Sequence, residues 1–125
     1  MARSTKPDAR KLRLRQHLYH ALEEFFEEQM DGSGAIEIKV VDDLILLRCK
    51  KAISPSEVDL GAVNVGRLLL QEATERLCRE LKPDLKTLLY EFTGLRLLDM
   101  GAVLFVERRE KLYLFLMSDT VKWQA

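Results

Sequence analysis

The stretch Ile36-Glu37-Ile38-Lys39-Val40-Val41-Asp42-Asp43-Leu44-Ile45-Leu46-Leu47-Arg48-Cys49 decides the fold of this chain. Ile36, Ile38 and Val40 alternate with Glu37 and Lys39, the two-residue period of a half-buried strand. Asp42-Asp43 reads as a tight turn. Leu44 to Cys49 then returns as a second strand, and the pair is a β-hairpin. The returning strand is apolar on both sides: Leu44 and Leu46 point one way, Ile45 and Leu47 the other.

Upstream of the hairpin the period is helical. Leu14, Leu18, Ala21, Leu22, Phe25, Phe26 and Met30 recur at steps of three and four between Ala9 and Met30. That helix is expected to end at Asp31-Gly32-Ser33-Gly34, where glycine permits positive φ. Residues 1–8 are polar, contain Lys6-Pro7-Asp8 and read as a disordered basic arm.

Downstream, Ser54-Pro55-Ser56-Glu57 carries a helix start: a capping serine, a proline at the first helical position and a glutamate to close a capping box. Gly61 follows soon after and keeps this element short. A long helix is predicted from about Asn64 to Thr93, with Leu70, Ala73, Leu77, Leu81, Leu85, Leu88 and Phe92 as the stripe that packs on the sheet. Pro83 interrupts the backbone bonding but not the phase of the stripe, which favours one kinked helix over two. Gly94 suits the residue just past its end. A third strand is expected over Leu95 to Val106, with a bulge or bend at Gly101. Glu107 to Glu110 is a charged turn, and Lys111 to Met117 is the fourth strand. The fold class is therefore α+β, in the order α-β-β-α-β-β. The predicted architecture is a four-stranded antiparallel sheet with both helices on one face. Residues 9–117 form the single domain, and 118–125, with Trp123, form a flexible tail.

Such a sheet normally turns polar residues to water on its free face. Here Leu112, Leu114 and Leu116 alternate with Tyr113, Phe115 and Met117, while Leu104 and Val106 alternate with Val103 and Phe105. One set meets the helices. The other is an apolar patch that calls for a partner, most simply a second copy in a twofold homodimer. The candidate interface residues are Tyr113, Leu114, Phe115, Leu116, Val103 and Phe105. The alternative is a monomer whose two helices cover opposite faces.

Composition bounds the function. The chain has 125 residues, 47% hydrophobic and 32% charged, with 20 Lys and Arg against 20 Asp and Glu. That balance excludes a polybasic protein. No run approaches the roughly 18 apolar residues of a spanning helix. The basic start has no apolar core of a secretory signal, and two cysteines make no disulfide framework, so a cytoplasmic location is expected. Charge is unevenly placed: Arg3, Lys6, Arg10, Lys11, Arg13 and Arg15 precede Glu23, Glu24, Glu27, Glu28 and Asp31. Both blocks oppose the helix dipole. Arg10, Lys11, Arg13 and Arg15 are thus candidate contacts for an anionic partner: nucleic acid, a membrane surface or an acidic protein. The zero net charge and the absence of interleaved aromatics weigh against nucleic acid.

Catalytic signals are missing. No phosphate loop, dinucleotide fingerprint, nucleophile elbow or zinc-protease motif occurs. His17 and His20 have a spacing that fits a metal, and the neighbouring Glu23 and Glu24 could supplement them, but a metal site needs further ligands and neither cysteine lies near in sequence. Cys49 and Cys78 read as structural thiols. No catalytic residue, metal or cofactor is expected.

The segment from Leu18 to Met117 resembles a known family. Its carriers are Ile38-Lys39-Val40-Val41-Asp42-Asp43-Leu44-Ile45-Leu46-Leu47-Arg48, Ser54-Pro55-Ser56-Glu57, Val65-Gly66-Arg67, Leu81-Lys82-Pro83-Asp84-Leu85 and Glu91-Phe92-Thr93-Gly94 before a final hairpin. They are similar to the MpsC-type family of small bacterial proteins, long regarded as a domain of unknown function. The resemblance implies association with a sodium-dependent, membrane-potential-generating system linked to uptake of inorganic carbon. In that setting the small protein is an accessory and not the conduit. Gly32-Ser33-Gly34-Ala35 departs from the family's usual link, which carries a proline after the glycines.

Overall fold

The computed structural model describes residues 9–27 and 35–122, with side chains from residue 16 onward. The elements are α1 (Ala9–Phe26), β1 (Ile36–Val41), β2 (Leu44–Cys49), α2 (Pro55–Leu60), α3 (Asn64–Thr93), β3 (Leu97–Phe105) and β4 (Glu110–Met117), with a 3-10 turn at Val106–Arg108. All strand pairs are antiparallel, in the order β1-β2-β4-β3. The α-β-β-α-β-β order of the sequence reading is therefore the observed one. The expected arm, residues 1–8, and Met30 lie outside the described residues.

Both helices pack on one face of the sheet. Leu18, Leu22 and Phe26 of α1 and Leu85 and Leu89 of α3 join Ile36, Ile45, Leu47, Tyr113, Phe115 and Met117 in one core. The Phe26 and Tyr113 rings lie 4.7 Å apart. The monomer with a helix on each face is excluded. The β1–β2 turn uses Asp42 at φ +53°, a conformation that Asp tolerates better than most residues.

The long helix runs unbroken through Pro83 and ends where expected, with Gly94 at φ +71° and its N–H donating to the Tyr90 carbonyl at 2.8 Å. Its rotation differs from the predicted stripe. Leu85 is buried and Leu81, Leu88 and Phe92 border the main core, while Leu70 is buried in a smaller cluster with Ile53 and Val106. Ala73 is exposed, however, and Thr74, Cys78 and Leu89 are buried instead. Thr74 is accommodated because its hydroxyl donates to the Leu70 carbonyl at 2.9 Å. Two strand details also differ. The register irregularity of β3 lies between Leu97 and Asp99, not at Gly101. Residues 118–122 are anchored: the Met117 N–H donates to the Asp43 carbonyl, the Val121 N–H donates to the Asp42 carbonyl, and Val121 is 1% exposed. Trp123 lies outside the described residues.

The α2–α3 corner depends on close backbone approach. Ser54 and Glu57 form the expected capping box at the start of α2. A Cβ on Gly66 would stand 1.8 Å from the Leu60 carbonyl oxygen. Arg67 then locks the corner, donating to the Gly61 carbonyl at 3.0 Å and pairing with Glu107. Gly66→Ala drives a methyl group into backbone that has no rotamer to yield. It is expected to cost about 2–3 kcal/mol, read as a lower urea midpoint at unchanged slope. A midpoint equal to the parent's would show that the corner yields freely.

Candidate functional site

The pleat divides the strands into two sets. Ile36, Ile38, Val40, Ile45, Leu47, Cys49, Lys111, Tyr113, Phe115, Met117, Met100, Ala102 and Leu104 share the helix side, by the register of the pairs. The opposite side carries Val41, Leu44, Leu46, Leu112, Leu114, Leu116, Val103 and Phe105, with no element of the described chain packed over it. Leu44, Leu46, Leu112 and Leu114 are half-buried by their neighbours within the sheet, while Val41, Val103, Phe105 and Leu116 are 36–42% exposed.

This corrects the candidate interface. Leu114, Leu116, Val103 and Phe105 lie together on the open face. Tyr113 and Phe115 do not: both are 0% exposed beneath the helices and inaccessible to any partner. The sequence offered no polarity difference between the two sides of β4, so both sets looked equally suited. Arg10, Lys11, Arg13 and Arg15 lie on α1, and their side chains fall outside the described residues.

One end of the open face is closed by a charge network. The Arg48 guanidinium donates to both Glu110 carboxylate oxygens, at 2.7 and 3.1 Å through Nη2, and lies 3.7 Å from Glu37. Lys50 pairs with Glu37 at 2.8 Å, and Arg108 approaches Glu110 at 3.7 Å. The hydrogen bond from Arg48 holds the Glu110 carboxyl below the usual carboxylate range. The bond from Lys50 does the same for Glu37. Glu110 is mostly buried, and no pattern in the sequence marked it.

The other candidates gather into no reactive constellation among the described residues. His17 and His20 are exposed, and no group of three or more His, Cys, Asp or Glu forms a metal-binding cluster there. Burial pushes the Cys49 thiol up to about 12, against the opposing pull of the Lys111 ammonium. Burial also raises Cys78. A thiol so shifted is a poor nucleophile at neutral pH. The Tyr113 hydroxyl, buried without a hydrogen-bond partner among the described residues, is likewise raised by burial. Lys111, 8% exposed, went unnoticed in the sequence because it directly follows the charged run Glu107-Arg108-Arg109-Glu110. It lines a cleft of about 300 Å³ with Glu57, Arg76 and Glu80, where acids and bases are balanced.

With the geometry described, comparison with known proteins adds one finding. Residues 10–119 match the family described as Na+-translocating membrane potential-generating system (MpsC). The chain belongs to the MpsC family. No curated protein and no solved structure matches it. The family description attaches this MpsC-family chain to a membrane system, consistent with an accessory role there. No helix among the described residues is long and apolar enough to cross a membrane.

The Arg48–Glu110 pair has a testable pH signature. A carboxyl lowered in the folded state contributes stability that is full above its unfolded value and lost as pH falls through its folded value. Glu110→Gln is therefore expected to be less stable than the parent at pH 7. The two should converge as pH drops below the ordinary carboxylate range, in urea midpoints at pH 7, 5 and 3. Parallel curves across that range would exclude the pairing as the cause.

Proposed function

We propose that this chain is a non-catalytic interaction or regulatory module in the cytoplasm. It works as a homodimer and is accessory to a membrane ion or bicarbonate transport system. The observation that carries the reading is the uncovered apolar face of the sheet, which runs from Val41 through Leu46 and Leu114 to Phe105. A soluble monomer rarely leaves such a patch in water. Its size fits a specific contact. Strands about 4.8 Å apart and six to nine residues long give a footprint of roughly 450 Å² per copy. Two stacked faces then bury on the order of 1,000 Å², where specific interfaces begin. The accessory role rests on family membership, whose description names a Na+-translocating system.

The face does not favour nucleic acid. Its charged side chains are mixed in sign, and at one end Glu37, Arg48 and Glu110 are paired within the chain.

Sedimentation across the micromolar range should show a dimer of the parent, with a melting temperature that rises with concentration. Leu114→Asp places a charge at the centre of the face and should yield a folded monomer. A parent that stays monomeric, with a concentration-independent melting temperature, would defeat the dimer. For the accessory role, cells lacking the chain should lose part of their sodium-dependent membrane potential, with recovery on adding back the parent. An unchanged potential in those cells would defeat it.

A further inference from the structure

The register lays the open face out as rows running from the β1 edge to the β3 edge. One row is Lys39, Leu46, Leu114 and Gly101; the next is Val41, Leu44, Leu116 and Asp99. At the far end of the face Glu37, Arg48 and Glu110 have partners within the chain. Two charges are held less closely. Lys39 is exposed and has no ion-pair partner among the described residues. Asp99 has a side chain 77% exposed, with the Lys82 ammonium no closer than 3.9 Å. Its Oδ1 accepts the neighbouring Met100 N–H at 2.8 Å, which holds the carboxylate at the sheet edge. A positive charge with no ion-pair partner among the described residues thus stands on the β1 edge, and a largely exposed negative charge, held only at 3.9 Å by Lys82, stands on the β3 edge.

Gly101 lies beside Asp99. A Cβ there would meet nothing within 4 Å, and its φ is not in the left-handed region. Nothing among the described residues calls for glycine at this position. Glycine inside a strand is unfavourable, and it commonly marks the close approach of another group. The gap it leaves opens onto the same face as Leu114.

These features are self-complementary under one symmetry. A twofold axis parallel to the strands, lying between two stacked faces, puts β1 of one copy over β3 of the other and keeps each row level. Lys39 then comes over the partner's Gly101, one row from the partner's Asp99, a step of about 7 Å that a lysine side chain spans. An axis across the strands would stack β1 on β1 and bring Lys39 toward the partner's Glu37, a carboxylate already held by Lys50 and Arg48. Resting on the homodimer proposed above, we infer that two copies stack their open faces about an axis parallel to the strands. Lys39 of each copy is seated over the partner's Gly101 and paired with the partner's Asp99. Aligned stacking of this kind is a standard mode of sheet packing.

Charge reversal tests the geometry, with dimer dissociation constants from sedimentation equilibrium as the readout. Lys39→Glu and Asp99→Lys should each weaken the dimer by about tenfold or more, by placing like charges together. The double reversal should return it to within about threefold of the parent, which a merely structural effect at two separate edges would not do. Gly101→Val should weaken the dimer while leaving the melting temperature of the diluted monomer equal or higher. If the parent dimerises but the single reversals dissociate like the parent, or the double reversal is no better than the singles, this geometry is wrong and the homodimer stands. A monomeric parent would overturn the homodimer itself, and this geometry with it.

Discussion

Helices α1 and α3 sit on the same side of one sheet, and the rest of the molecule is shaped by that constraint. Strand β4 is central, bonded to β2 and β3, and apolar on both sides. The helices satisfy only one of them, covering Tyr113, Phe115 and Met117. Leu112, Leu114 and Leu116 are left uncovered by the described helices. Burying a large aliphatic or aromatic side chain is worth about 1.5–3 kcal/mol. An uncovered row of them is significant beside a typical domain stability of about 5–15 kcal/mol.

The helix side is built for permanence. Its thiols are pushed toward the protonated form by burial, and Val121 folds back over the turn to complete the core. The α2–α3 corner is held by a glycine contact and by Arg67, so the long helix is fixed at its start as well as along its length. Such a layer provides a rigid backing for the open face. Rigidity would matter for the interaction role proposed above, because a preorganised surface loses less ordering entropy on binding. The charged end of the open face is organised in the same spirit, with Arg48 spanning two carboxylates across three strands.

Local signals in the sequence were sufficient wherever a single element determines its own limits. The hairpin around Asp42-Asp43 was legible because alternation and turn chemistry agree. The helix Asn64–Thr93 was legible because Gly94 ends it and its apolar phase survives Pro83. The resemblance to the MpsC family could be drawn from short structural signatures, and the match over residues 10–119 bears it out.

What the sequence by itself determined was the kind and order of the elements, because periodicity and capping act over a few residues. Only the tertiary structure decided which sides of those elements face inward. Leu114 and Phe115 are neighbours of comparable hydrophobicity, and no local rule separates them; the placement of α1 and α3 does. Ala73 looked like core and Thr74 did not, yet a hydroxyl bonded to its own helix is buried and the methyl is exposed. Glu110 and Asp99 are both strand carboxylates, but one is enclosed beside Arg48 and the other stands at an open edge. The distinction rests on contacts between residues far apart in the chain, which pairing across the sheet creates and sequence proximity does not.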